Sequence, residues 1–507
     1  MRLADVIADA GHRAPAAIAV IDGVRVLTYR ELLLCCDEGC RFLKSLGVGA
    51  GVVVAVALNN SIEYLVALFS IAQCGACALL LGEDMGEEEI LRLTAKCRAS
   101  IIVTSGSKAS QLGTVAGSTV CPCLCSIRID HAAPVFRRSG GSPMVKDEAV
   151  SNVAIMIPTS GTSGYAKIAM LLEQSLLVNL AAYRLALNLH GRHIAYVALP
   201  MKHVYCLNAQ VLAHLSRADT LILGQRPFLV ERFVEATEQC GVTCTAFVPH
   251  LLEMVATYQR PLDVALKGLE YIIVSGDKMS RTVFDAFHAR LPWVEVIPSY
   301  GMTEAGPRIA VAAPRCRPYP MDSVGHALPG VEIRIAGETG TTLGAGEVGE
   351  ICVRGGGLMK GYYAEPEKTA EVISGGWLRT GDLGYCDDAG SLYITGRMKE
   401  IIISGGTTMH PCEIEDKLLE CRGVAEAAVV GREHRTLGHV PWAFVVKDST
   451  SRVVSAGDIM RQLRTRLSAD KQPYRIMFVN SLPRNSVGKV DRRALTNNAK
   501  GANADMA

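Results

Sequence analysis

The stretch Val153-Ala-Ile-Met-Ile157-Pro-Thr-Ser-Gly-Thr-Ser-Gly-Tyr-Ala-Lys167 runs an apolar, strand-like segment straight into a loop of hydroxyl residues and glycines that closes on a lysine. Glycines let backbone N–H groups turn inward around phosphate oxygens, hydroxyls add donors, and the ammonium neutralises charge. Thr159, Ser160, Gly161, Thr162, Ser163, Gly164 and Lys167 are the candidate phosphate-binding residues. The spacing is not that of a Walker A loop, because G-x-x-x-x-G-K-[ST] does not occur here. A plain polar turn between two elements is the alternative reading of this local sequence.

Working outward, the flanking regions alternate helix-like and strand-like segments, the signature of a wound α/β sheet. Before the loop come the amphipathic run 29–46, the apolar strand 52–58 and the strand 101–103. Between them, residues 64–82 run 19 residues without a charge, about the length of a membrane span. Ser70, Gln73 and Gly75 interrupt that run, and Asn59-Asn60-Ser61 opens it like a helix cap. A core-packed helix turning at Gly75 into a buried strand explains it with less strain. Residues 131–148 read as a Pro/Gly/basic surface loop. After the phosphate loop, strands are expected at 195–199, 220–223, 244–248, 271–274 and 294–298. From Val331 the composition becomes turn-rich β, and after Arg397 a small α/β unit runs to about Leu495.

The chain has 507 residues, 49% apolar and 20% charged, with a net charge of +2. That length suggests two to four domains, and the apolar content argues against disorder. Near-neutral charge gives no reason to expect a nucleic-acid or anionic-membrane surface. Seventeen cysteines are scattered along the chain, and the opening MRLADVIADAG places Asp5 and Asp9 where a signal peptide needs apolar residues. Cys74-Gly-Ala-Cys77 has no second CxxC to complete a zinc site, so these thiols read as small buried hydrophobes in a reducing cytoplasm.

The loop at 159–167 resembles the signature loop of the adenylate-forming superfamily of acyl- and aryl-CoA ligases. Four further motifs follow in that superfamily's order: Ser299-Tyr-Gly-Met-Thr-Glu304, Thr380-Gly-Asp-Leu383, Ile394-Thr-Gly-Arg-Met-Lys399 and Pro483-Arg-Asn-Ser-Val-Gly-Lys489. One departure is Ala166-Lys167-Ile168, where the superfamily usually has Pro-Lys-Gly. The resemblance implies an α/β fold with a large N-terminal domain, residues 1–398, of wound α/β subdomains plus a β-rich subdomain. It also implies a small mobile C-terminal α/β domain, 399–495; the polar composition of 496–507 reads as a flexible tail. The implied reaction uses ATP and Mg²⁺ to adenylate a small-molecule carboxylic acid, then transfers the acyl group to coenzyme A or to the phosphopantetheine arm of a carrier protein. In this scheme Thr159 to Lys167 hold the β- and γ-phosphates, and Ser299, Tyr300, Gly301 and Met302 lie along the nucleotide. Thr303 contacts the α-phosphate and Glu304 binds Mg²⁺. Asp382 accepts the ribose hydroxyls with help from Arg397, and Lys489 reaches the α-phosphate and the acid. Lys399 would be the hinge, with Ser404, Gly405 and Gly406 lining the thiol tunnel. A nucleotide-binding regulator without turnover is the non-enzymatic alternative, against which the retention of Glu304, Asp382 and Lys489 argues.

The segment Leu199-Pro-Met-Lys-His203-Val-Tyr205-Cys206-Leu-Asn208 is similar to the acid-site region of 4-coumarate ligases. The resemblance makes His203 a gate and Tyr205 a wall of the acid pocket, with Cys206, Ser275, Gly276 and Asp277 beside it. A satisfied surface histidine is the alternative for His203. Asp277-Lys278 stands where relatives carry small apolar residues, so it either meets a polar substrate tail or forms a surface ion pair. With Val204, Leu207, Phe247 and Val248 otherwise apolar, the expected substrate is an aryl or medium-length acyl acid.

Overall fold

The computed structural model describes residues 2–116, 123–130, 133–139, 145–159, 166–312, 322–404, 407–448, 454–484 and 489–501. The uncharged stretch folds as a crossover unit. Ser61 caps the helix Ile62–Gln73 by accepting from the Tyr64 amide, and the chain turns at Gly75 (φ +66°) into the buried strand Cys77–Leu81. That strand lies parallel to Val53–Ala57. Among the described residues no helix is long and apolar enough to cross a membrane.

The described strands form four sheets. One carries Val53–Ala57, Cys77–Leu81, Ile101–Thr104 and Val153–Thr159 as a parallel centre, with Lys167–Leu172 returning antiparallel to Val153–Thr159. A second carries Ile194–Val197, Thr220–Leu223, Cys244–Phe247, Tyr271–Val274 and Glu295–Gly301 in parallel. Parallel strands covered on both faces read as continuous apolar runs, which is why all five were visible in the sequence. Side chains of both sheets and of the helices Tyr29–Ser45, Ile62–Gln73 and Glu173–Leu187 share one core. A third, antiparallel sheet holds Val331–Ala336, Gly349–Gly355, Trp377–Cys386 and Leu392–Arg397. The fourth, built around the hairpin Val424–His434 and Gly438–Lys447, forms the small C-terminal domain. Leu392–Arg397 belongs to the third sheet and Ile402–Ser404 to the fourth, and the turn Met398–Glu400 joins them.

Two expectations are corrected. Most of the described part of 131–148 is not loop: Ala133–Ser139 pairs antiparallel with Cys123–Asp130 at the edge of the first sheet. Pro134 and two arginines suit an edge strand, which has no partner on one side. The supposed tail begins as helix, Arg492–Gly501. Arg432 Nη1 donates to the Thr496 carbonyl at 2.9 Å, which docks the turn around Leu495 on the domain. Residues 502–507 lie outside the described residues. The CxxC thiols diverge: Cys74 meets Cys40, Sγ to Sγ 3.6 Å, and Cys77 is buried in its strand.

Candidate active site

The candidate residues gather at the carboxyl ends of the parallel strands, where open α/β sheets present their ligand crevice. Ser275 and Gly276 follow Tyr271–Val274, Tyr300 ends Glu295–Gly301, and His203 lies beyond Ile194–Val197. Thr159 and Lys167 face each other across the mouth of a hairpin, and Thr159 Oγ1 donates to the Lys167 carbonyl at 3.3 Å. Ser160, Gly161, Thr162, Ser163 and Gly164 lie outside the described residues.

Three motifs meet at one carboxylate. Tyr300 Oη donates to Asp382 Oδ2 at 2.6 Å, and Arg397 Nε lies 2.8 Å from Asp382 Oδ1. Asp382 is buried, and its amide donates to Thr380 Oγ1 at 3.0 Å across a bend at Gly381 (φ +71°). Burial and the Asp382 carboxylate push the Tyr300 phenol far above its ordinary range, so it remains a donor. Arg397 is held further toward its charged form, chiefly by Asp382. Ser299 Oγ accepts from Arg308 Nη1 at 2.5 Å, and Gly301 lies so close to the Pro307 carbonyl that a Cβ would sit 1.8 Å from its oxygen. Met302 and Thr303 are half-buried beside this bend.

Glu304 is buried and accepts from Tyr362 Oη at 2.9 Å, while Lys167 Nζ lies 4.5 Å from the centre of the same tyrosine ring. Tyr362 therefore ties the end of the phosphate loop to the carboxylate expected to hold a cation. Among the described residues no cluster of three or more His, Cys, Asp or Glu could cage a metal. One buried carboxylate linked through Tyr362 to Lys167 fits Mg²⁺, which is commonly held by one or two carboxylates plus substrate phosphates.

In the acid-site segment, Tyr205 Oη donates to the carbonyls of Phe247 (3.2 Å) and Ile273 (3.1 Å), and Arg308 stacks on its ring at 4.1 Å. Six π-helical residues, Leu207–Leu212, follow it, a conformation frequent at functional sites. Cys206 does not share this surface: its buried thiol contacts the Leu199 carbonyl and Gln210 Oε1 in the core. His203 Nε2 is buried without a partner. Burial, with Lys202 and Arg226 nearby, lowers the His203 pKa to about 3. The native ring stays neutral while the unfolded one, near 6.5, takes a proton, so this histidine favours folding above pH 6.5 and opposes it progressively below. Its share of the loss at pH 5 is on the order of 2 kcal/mol. His203→Asn should accordingly flatten the fall in Tm between pH 7 and 5; an unchanged slope would refute the neutral buried ring.

Lys489 comes from the C-terminal domain and lies over Gly276: a Cβ at that glycine (φ +95°) would sit 3.7 Å from Lys489 Cε. Burial pushes its ammonium below the ordinary lysine range, opposed by Asp277 and then by Asp382 and Glu400. The pair Asp277-Lys278 does not close on itself. Lys278 Nζ reaches Asp416 Oδ2 of the C-terminal domain at 2.5 Å, and Asp277 acts on Lys489 and Arg492. Both residues thus belong to the domain junction. Lys399 lies in the turn between the two sheets and Ser404 at the end of Ile402–Ser404, paired with Gly438. Gly405 and Gly406 lie outside the described residues.

Two residues of this site escaped the sequence reading. Tyr362 had only its place beside Gly361 as a signal. Arg308 had a stronger one, a single charge opening the apolar run Ile309-Ala-Val-Ala312.

Residues 7–363 match the AMP-binding enzyme family and 413–489 the AMP-binding enzyme C-terminal domain. The chain is 31% identical to indoleacetate–CoA ligase of Aromatoleum aromaticum over 483 residues, 94% of each chain. It is 30% identical to 4-coumarate–CoA ligase 1 of Oryza sativa subsp. japonica, over 94% of this chain and 88% of that one. ATP-bound MatB from Rhodopseudomonas palustris, 26% identical, matches 99% of each chain with a TM-score of 0.86. Paired α/β sheets with a small C-terminal domain, and three motifs meeting at one carboxylate, agree with these likenesses: the chain belongs to the AMP-binding enzyme family.

Proposed function

We propose that this enzyme is an AMP-forming acid–thiol ligase that activates an aryl or medium-length acyl acid and hands it to coenzyme A. A carboxylate is already a nucleophile at neutral pH, so the first step needs no general base. Its oxygen attacks the α-phosphorus of ATP, the bond to the β-phosphate bridge breaks, and pyrophosphate leaves. What must be supplied is positioning and stabilisation of the negative charge gathering on the α-phosphate. Lys489 over Gly276 would supply that charge and Thr303 a further donor. Asp382, Tyr300 and Arg397 orient the nucleoside, and Lys167 with the loop it closes holds the outer phosphates. A magnesium ion on Glu304 would neutralise phosphate charge when bound.

In the second step the thiol sulfur attacks the acyl carbon, the bond to AMP breaks, and the thiol proton goes to solvent. Lys489 then has no further task, and rotation of the C-terminal domain about Lys399 would withdraw it and bring the loop after Ser404 to the acyl group. The observation that carries the reading is the meeting of Tyr300, Asp382 and Arg397, each from a different motif, with Asp382 and Arg397 close enough to act on the charge of Lys489.

The test is pyrophosphate release with ATP, Mg²⁺ and a panel of aryl and C4–C10 acids, read with coenzyme A and with a pantetheinylated carrier protein as acceptors. Acid-dependent release coupled to acyl-CoA is the expected result. A thioester formed only on the carrier would overturn the acceptor, and no release with any acid would overturn the ligase.

A further inference from the structure

Arg308 is the largest fully buried side chain of the described residues, 1% exposed. Its backbone is clamped: Asn179 Nδ2 donates to the Arg308 carbonyl at 2.8 Å, and the Arg308 amide donates to Asn179 Oδ1 at 3.3 Å. Asn208 Nδ2 holds the same Asn179 oxygen at 3.2 Å. The guanidinium lies between two aromatic faces, 4.1 Å from the centre of Tyr205 and 5.1 Å from that of Tyr183. One of its nitrogens, Nη1, is spent on Ser299. The others on its open edge, Nε and Nη2, are buried with no hydrogen-bond partner, and so is the Tyr183 hydroxyl. Among the described residues no carboxylate pairs with Arg308.

A buried cation without a counter-ion is costly, and stacking on two tyrosines offsets only part of that cost. Nε–H and Nη2–H are parallel donors whose spacing matches the two oxygens of a carboxylate. With the phenol of Tyr183 beside the guanidinium, these two donors lie in the wall that Tyr205 shares with the expected acid pocket. Tyr183 also borders a small cavity on its far side, lined among others by Arg184, Ala213, Arg217 and Ile273.

Resting on the ligase reading above, we propose that the substrate is a dicarboxylic acid, activated at one carboxylate and held by the other on the Nε/Nη2 edge of Arg308. The remote carboxylate supplies the counter-ion that the folded protein withholds, and its length selects how far the reacting carboxylate stands from the α-phosphate. A site built around such a fork discriminates strongly against analogues lacking the group, because its buried donors are then left unpaired.

The experiment measures kcat/KM for pyrophosphate release with matched acids: hexanoate, adipate and monomethyl adipate, and phenylacetate against 4-carboxyphenylacetate. In each series the dicarboxylate should exceed the monoacid and the ester by at least about a hundredfold. Arg308→Met should invert the preference. Arg308→Lys, which keeps the charge but loses the fork, should fall between them, with Tm recorded for both variants. Preference for the monoacids by the unsubstituted enzyme, or an equal loss for all acids in Arg308→Met with the Lys variant equally impaired, would overturn the dicarboxylate and leave the ligase standing. No release with any acid would overturn both.

Discussion

Lys489→Ala is expected to slow acyl-adenylate formation by about a thousandfold, while thioester formation from supplied acyl-adenylate and coenzyme A should fall less than tenfold. The first figure follows from removing a preorganised donor aimed at charge that builds during reaction, which typically costs 10²–10³ and more when the donor is a cation in a water-poor site. Lys489 meets both conditions: it is covered by the large domain over Gly276, and burial already lowers its affinity for a proton. Asp277, Asp382 and Glu400 favour its charged form in that setting, so on the proposed role an arriving triphosphate would complete a balance already prepared. The asymmetry between the two steps is the informative part. A lysine that merely glued the domains together would damage both steps alike, and equal losses in single-turnover assays would remove it from the chemistry. Lys489→Arg retains charge but not length or hydration, and should recover only part of the rate.

That split also rests on the domain junction, which the sequence made only half legible. Asp277 and Lys278 stood out as charges where relatives carry small apolar residues, and the local sequence offered two uses for them, a substrate tail or a surface ion pair. Lys278 does form an exposed ion pair, but the partners of both residues, Asp416, Lys489 and Arg492, come from a domain whose approach no local pattern encodes. The strands at the centre of both large sheets were legible for the opposite reason. Burial on both faces leaves a run such as Tyr271–Val274 no freedom but to be apolar throughout. The edge strand Ala133–Ser139 faces no such demand and so passed for a loop.

The same contrast divides the site. Tyr300, Asp382, Arg397 and Lys489 could be named from spacing, since each motif carries its chemistry in a few adjacent residues. Arg308 and Tyr362 could not, because a lone arginine or tyrosine acquires meaning only from what folds against it. Tyr362 bridges Glu304 and Lys167, which belong to separate motifs. Cys206 shows the converse error: adjacency to Tyr205 suggested a shared surface, but successive residues on a helical turn point about 100° apart, and this one points into the core.

Asp382→Ala is expected to lower kcat/KM for ATP by about a thousandfold, mostly through KM. Two charge-assisted hydrogen bonds from a carboxylate to the ribose contribute about 1.5–3 kcal/mol each, and their sum corresponds to a factor centred near 10³. Asp382 Oδ2 and Oδ1 are taken by Tyr300 Oη and Arg397 Nε, so on the proposed role a nucleoside would meet a carboxylate already oriented from two sides. Stability responds less than binding. The Arg397 side chain is more than half exposed and can return to water, whereas the buried Tyr300 hydroxyl loses its acceptor at a cost of about 1–3 kcal/mol. Asp382→Asn separates the two effects: an amide oxygen still accepts from Tyr300, but it attracts neither Arg397 nor a pair of ribose donors. It should keep Tm within a few degrees of the unsubstituted enzyme and still raise KM for ATP at least tenfold. Tyr300→Phe deletes the orienting hydrogen bond while leaving the carboxylate and ring in place, and should cost less than tenfold. If isothermal titration found ATP bound equally well by the Asn variant and the unsubstituted enzyme, Asp382 would be a structural junction of three motifs and the nucleoside would have to be held elsewhere.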